Sequence, residues 1–135
     1  MPGYSGTPLP KKLGIKAGLR VQLANAPAEV SAELREALAE CLAVKQADAL
    51  DFVMLFTKSR TELTREFPRM ANLLSPAGML WVSWPKKSSG VATDLHENVI
   101  REIGLDAGLV DVKVCAVTEV WSGLKFVRRV KDRKK

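Results

Sequence analysis

Lys86 and Lys87, followed by Ser88, Ser89 and Gly90 and then by Thr93 and Asp94, are the residues of this 135-residue chain whose types and spacing best suit chemistry. Two ammonium groups, three hydroxyls and a conformationally free glycine ahead of a helix are the ingredients of an anion cradle. No Gly-x-x-x-x-Gly-Lys-Ser run is present, so this is not a nucleotide phosphate loop of that type. The plainer reading is a solvated loop in which Thr93 or Asp94 caps the next helix, and Asp94 with Glu97 has the spacing of a capping box. Ser89, Asp94 and His96 lack the Gly-x-Ser-x-Gly turn that exposes a hydrolase nucleophile, and no catalytic residue is assigned. His96 is the sole histidine, a first-turn helix residue on this reading, and no Cys-x-x-Cys pair accompanies it. A metal site is therefore not expected. Cys41 and Cys115, at apolar positions of a helix and a strand, are expected as reduced core residues.

Several elements must position this loop. Met79 to Trp84 is an apolar run that reads as a buried strand entering it, and Leu95 to Ile103 an amphipathic helix leaving it. Upstream, Arg20 to Ala24 predicts a first strand, ended by Asn25-Ala26-Pro27. Val30, Leu34, Ala37, Leu38, Cys41 and Leu42 then follow helical spacing. A short second strand is expected at 43–46. Leu50 to Phe56 has the continuous apolar character of a strand covered on both faces. Ser59 and Glu62 match a capping box, opening a helix through Leu63, Phe67, Met70 and Leu74 that Pro68 should kink or break. Leu109 to Val117 and Leu124 to Val130 predict two closing strands, antiparallel to one another. The pattern is α/β, with a mostly parallel sheet of five or six strands and an antiparallel C-terminal strand.

In open sheets of this kind ligands bind beyond the carboxyl ends of the strands, where strand order reverses. That edge is expected to gather Asn25, Thr57 and Lys58, the loop at 85–94, and the connection holding Glu119, Trp121 and Ser122. Trp84 and Trp121 fall at strand ends there, placed to stack a base or to shield the core.

Composition bounds the rest. An apolar share of 47% and a charged share of 27% are ordinary for a globular domain. We expect one domain: an irregular arm at 1–18 with a helical turn around Leu9 to Leu13, a core at 19–130 and a basic tail at 131–135. No run of about 18 apolar residues exists and no secretory pattern opens the chain, so a cytoplasmic protein without a membrane span is expected. The net charge of +6 is concentrated at the ends. Residues 1–20 carry Lys11, Lys12, Lys16 and Arg20 without an acid, and residues 125–135 carry seven bases against Asp132 alone. Ends of this kind suit a phosphate backbone, and the alternative reading is a nucleic-acid or protein-binding module acting through the basic termini.

Leu13 to Val21 resembles the lead into the first strand of class I S-adenosylmethionine-dependent methyltransferases. Leu74-Ser75-Pro76-Ala77-Gly78 and the strand after it resemble that superfamily's Leu-x-Pro-Gly-Gly turn. A short bacterial family catalogued as a domain of unknown function is similar more closely, in Gly3 to Leu9, Trp84 to Leu95 and Trp121 to Leu124. The resemblance implies a Rossmann-like three-layer sandwich. It departs from the methyltransferase pattern in two places. Leu23-Ala24-Asn25-Ala26-Pro27 lacks the cofactor-loop glycines, and the span from Ala24 to Asp51 is one strand–helix unit short. The expectation is a truncated, non-catalytic methyltransferase-like domain without a cofactor. It would bind a small anionic ligand or nucleotide through Lys86, Lys87, Ser88, Ser89, Gly90, Thr93 and Asp94, with Asn25, Thr57, Trp84, Trp121 and Ser122 around it. A working methyltransferase ranks below both this reading and the basic-end reading.

Overall fold

A computed structural model describes residues 8–44 and 49–133. The motif at Gly3 to Thr7, the end of the expected second strand at 45–46 and the last two lysines lie outside those residues.

Near-continuous apolar runs make the centre of the molecule. β1 (Arg20–Ala24) and β3 (Leu50–Phe56) occupy the spans expected of them, and β4 (Leu74–Pro85) follows. β2 (Leu42–Ala43), β5 (Leu109–Ala116) and β6 (Trp121–Arg128) complete one six-stranded sheet in the order β2-β1-β3-β4-β6-β5. β1 to β4 pair in parallel, and β6 runs antiparallel to both β4 and β5. β4 begins five residues earlier than the strand read from the sequence. Its Leu74 pairs with Leu50 across a register irregularity, so Ser75 to Gly78 belongs to the strand rather than to a turn before it. β6 likewise begins at Trp121, because the ladder with β4 extends to the pairs Trp84–Ser122 and Pro85–Trp121. Trp121 and Ser122 are therefore strand residues, not part of the connection.

Alternation along these strands splits the core into two layers. On one face Leu50, Val53, Leu55, Leu80, Val82 and Trp84 pack under α3 (Arg60–Ala71) and α4 (Glu97–Asp106). On the other, Phe52, Met54, Phe56, Trp81 and Trp121 pack under α1 (Leu9–Leu13) and α2 (Ala28–Ala37). The result is a three-layer α/β sandwich.

Helix ends show where local rules held and where tertiary contacts replaced them. Ser59 Oγ accepts from the Glu62 amide at 3.1 Å, one half of the capping box, while the Ser59 amide donates to Thr57 Oγ1 rather than to the Glu62 carboxylate. Pro68 neither breaks nor splits α3, which runs unbroken to Ala71. It sits in the last turn, so the helix continues only three residues beyond it, and Phe67, Met70 and Ala71 beside it are buried, so packing holds the turn that lacks its amide bond. α2 stops at Ala37, so Cys41 lies in the turn before β2 with its thiol on the Lys16 carbonyl at 3.3 Å. Both cysteines are half-buried rather than in the core, and burial raises both thiol pKa values.

α4 starts at Glu97 with His96 as its N-cap residue, two residues later than expected, and no side chain caps it. The Asp94–Glu97 box does not form. Asp94 Oδ1 instead accepts from the Arg60 amide at 2.8 Å, the orphan first amide of α3. Glu97 pairs with Arg101. Among the described residues no helix is long and apolar enough to cross a membrane.

Candidate functional site

β1 is the point where strand order reverses: the chain leaves it toward β2 on one side and returns as β3 on the other. A cleft of about 350 Å³ opens there, beyond the carboxyl ends of β1 and β3, where such sheets place ligands. Asn25, Pro27, Glu29, Thr57, Lys58 and Glu62 form its rim and walls, over an aromatic floor of Phe56 and Trp121. The two rings meet edge to face, with centroids 5.3 Å apart and planes at 78°. That arrangement fixes the floor as part of the core beneath it.

Asn25 holds φ at +61°, the left-handed turn that a glycine would otherwise supply between β1 and the helix that follows. Asparagine tolerates this conformation because its short amide can bond locally. The missing glycine therefore does not prevent the turn, although the Asn25 side chain occupies space that a glycine would leave open.

The polar walls are tied to one another. Thr57, buried at the end of β3, donates its amide to the Ser83 carbonyl at 3.0 Å and its hydroxyl to Glu62. The same hydroxyl oxygen accepts from the Ser59 amide at 3.2 Å. Across the cleft, Trp121 Nε1 donates to Glu29 Oε2 at 3.4 Å. Two carboxylates and the single ammonium of Lys58 thus surround an aromatic floor.

Asn25, Thr57 and Trp121 of the expected site come together here, with Lys58. The other residues lie elsewhere. Lys86 is half-buried with its amide on the Val120 carbonyl; Lys87 and Ser88 are exposed in a short 3₁₀ turn. Ser89 Oγ donates to the Lys86 carbonyl at 2.7 Å and accepts from the Val91 amide, and Gly90 closes the turn with φ at +79°. Thr93 Oγ1 donates to the Lys58 carbonyl at 2.7 Å, and Asp94 takes the Arg60 amide. The loop is stitched onto the β3–α3 junction, and none of its residues lines the cleft. Ser122 receives the Ser83 hydroxyl on its carbonyl at 2.8 Å. Trp84, 6% exposed, packs in the layer under α3 and α4, so the sheet separates it from Trp121.

Glu29 and Glu62 are wall residues that sequence reasoning missed as a pair. Glu62 was absorbed by its capping role. Glu29 carried one usable signal, an acid in the first turn of the helix that leaves β1. A second cleft, of about 480 Å³, runs between α2 and the β1–β2 edge past Leu38 to Val44. Its lining among the described residues is largely apolar. No group of three or more His, Cys, Asp or Glu that could hold a metal occurs among the described residues.

The basic ends are partly used by the fold. Arg128 donates to the Ala71 and Leu74 carbonyls at 2.8 and 3.0 Å, closing the end of α3, and Arg133 Nε donates to the Arg128 carbonyl. Lys12 is only 7% exposed.

Comparison with known proteins agrees with this architecture. The family described as "Protein of unknown function (DUF3052)" matches residues 10–130, and the chain belongs to it. No curated protein matches the sequence. Among solved structures, the magnesium protoporphyrin IX methyltransferase of Synechocystis PCC 6803 with bound SAH is similar at a TM-score of 0.58 and 16% identity. That match covers 84% of this chain and 75% of that one. A TehB-like SAM-dependent methyltransferase of Corynebacterium glutamicum is similar at 0.55 and 7% identity, over 94% and 90% of the two chains. LepI in complex with SAM is similar at 0.64 and 12% identity, over 96% of this chain and 49% of that one. At these identities the likeness shows a methyltransferase-like fold.

Proposed function

We propose that this member of the family is a non-catalytic binding domain that holds a small nucleoside-like ligand in the cleft beyond β1 and β3. The observation that carries the reading is the position of that cleft at the reversal of strand order, over the Phe56–Trp121 floor. An aromatic floor suits a flat base, and the rim groups Asn25, Glu29 and Glu62 suit sugar hydroxyls or an amino group. Two carboxylates against one ammonium disfavour phosphate at this place. A neutral or cationic adenosyl compound, of the kind bound in the similar methyltransferase structures, therefore fits better than a nucleotide. Binding rather than catalysis is supported by the wall groups themselves. Glu62 is held by Thr57, and Glu29 by the Trp121 indole, leaving neither acid set apart as a base.

The 85–94 loop takes a supporting role on this reading. Through Thr93 and Asp94 it fixes the chain around Lys58 and Arg60, while Lys86 and Lys87 remain outside the cleft. Calorimetry with S-adenosylhomocysteine, S-adenosylmethionine, adenosine and ATP tests it. The expected result is binding of the phosphate-free compounds, weakened several-fold by Glu29→Ala and unchanged by Lys86→Ala/Lys87→Ala. Preferential binding of ATP, abolished by the double lysine change, would return the site to the loop. Binding by none of the four would remove the proposal.

A further inference from the structure

A second site lies away from that cleft, on the face covered by α1. Lys113 of β5 and Lys125 of β6 are paired directly across the antiparallel ladder. Like charges placed opposite one another on a sheet destabilise it. The Lys113 ammonium reaches over to α1 and donates to the Lys12 carbonyl at 2.8 Å. Lys12 itself is nearly buried at the end of that helix. The Lys125 ammonium lies 3.8 Å from the point where a Cβ on Gly14 would stand, so the residue that follows α1 opens the space beside it.

The register irregularity between Asp111 and Lys113 is what produces the cluster. Asp111 faces Arg101 of α4 on one side of the sheet, at 2.9 Å, and the extra residue turns Lys113 to the opposite side. Its nearest acid in sequence is thereby removed from it. Neither Lys113 nor Lys125 forms an ion pair among the described residues. The surroundings register the imbalance. Burial first, and then the charge of Lys113, push the Lys125 pKa below its ordinary value. Burial raises the Cys115 thiol, while the charges of Lys12 and Lys113 pull against it, and among the described residues no carboxylate acts on Cys115 or Lys125.

We propose that Lys113 and Lys125, beside the end of α1, form a binding site for a multivalent oxyanion of the phosphate class, whose charge balances the cross-strand lysine pair. Lys113 is exposed, Lys125 half-buried and Lys12 buried. Such a graded arrangement admits a small anion from solvent and excludes a broad polyanion from the inner ammonium groups. Local rules broken at a cost to stability are expected at sites of function.

Inorganic pyrophosphate is the probe. Thermal unfolding of the full chain at low ionic strength is followed with and without it, against sodium chloride of matched ionic strength. The expected result is an upward shift in Tm with pyrophosphate that chloride does not reproduce. Lys113→Met and Lys125→Met should each unfold at or above the wild-type temperature without the anion, and each should lose the shift. Alkylation of Cys115, followed in a Cys41→Ser background, should slow several-fold when pyrophosphate binds. An equal shift with chloride would reduce the cluster to ordinary screening and overturn the site. A pyrophosphate shift that survives both substitutions would place the anion elsewhere, and a Lys86→Ala/Lys87→Ala variant would then show whether it sits on the exposed loop. Lower stability of both lysine variants would show the pair to be compensated within the protein itself.

Discussion

The cleft beyond β1 and β3 and the lysine cluster under α1 handle charge in opposite ways. In the cleft each acid has found a partner in the chain: Glu62 takes the Thr57 hydroxyl and Glu29 the Trp121 indole. Under α1, two lysines face each other across a ladder, and Lys113 turns to a backbone carbonyl. The first site is preorganised, complete without an occupant and open at its rim. The second pairs neither Lys113 nor Lys125 with an acid among the described residues. A ligand in the cleft gains affinity by fitting fixed groups, whereas an anion under α1 would gain it by relieving repulsion that is already present. Stability measured without ligand should therefore fall when the cleft is altered and hold or rise when the cluster is altered.

Trp121→Ala should produce the largest effect and the sharpest break in that comparison. The indole is 5% exposed, packs edge to face on Phe56 and holds Glu29. Truncation of a buried tryptophan costs about 3–5 kcal/mol. Denaturant unfolding should show a loss of that size. The response to pyrophosphate, read below the lowered Tm, should persist, because the cluster takes its groups from α1, β5 and the middle of β6. Loss of both responses together would mean that the two sites are one cooperative unit.

Gly104→Ala serves as a control that touches neither site. A Cβ at this position in α4 would stand 2.1 Å from Phe126 Cε2, on the opposite face from both the aromatic floor and the lysines. Forcing that ring aside costs about 1–3 kcal/mol. Equilibrium unfolding should report this loss, with ligand and anion responses retained in the folded protein. Thr57→Val comes next. It keeps the volume of the side chain but releases Glu62 and leaves the Ser59 amide without its acceptor. A loss of about 1 kcal/mol is expected from one such hydrogen bond. Weaker ligand binding in the cleft should accompany it, and the pyrophosphate shift should not change.

How much of this was legible in the sequence depends on the range of the interaction that decides each feature. β1 and β3 were readable to the residue, because burial on both faces writes itself into consecutive apolar side chains. The Ser59–Glu62 cap was readable because its two partners are three residues apart. Asp94 was assigned to the wrong helix for the opposite reason. Its own box with Glu97 is local, but the Arg60 amide, 34 positions away in the chain, won the carboxylate. The Trp84–Trp121 reading turned on register. Only the observed pairs, Trp84 with Ser122 and Pro85 with Trp121, reveal that the two rings fall on opposite faces. Asn25, Thr57 and Lys58 could be placed on the ligand edge from strand ends alone, whereas Glu29 and Glu62 needed the fold to bring them across the cleft. The lysine cluster was least visible of all. It requires a one-residue irregularity in β5, and periodicity carries no trace of it.

The pH dependence of Lys125→Met should give the smallest effect and the finest test of the comparison. Burial and Lys113 lower the Lys125 pKa in the folded protein from its ordinary 10.5. The unfolded chain therefore holds this proton more tightly than the native one, and the wild-type protein gains stability from this group as pH rises toward 10.5. At pH 7 the charged lysine should cost a few tenths to about 1 kcal/mol relative to methionine, the range for a like-charged cross-strand pair. Above the lowered pKa that difference should shrink. Cys115 works in the other direction, since its raised pKa makes the folded state lose stability as the thiol ionises. That contribution is common to both proteins and cancels in the difference between them. Denaturant midpoints of wild type and Lys125→Met, taken from pH 7 to pH 10.5 at low salt, should converge with rising pH, and added pyrophosphate at pH 7 should reproduce the convergence. A gap that stays constant across the series would mean that Lys125 carries no unbalanced charge, and the contrast between the two sites would then reduce to packing.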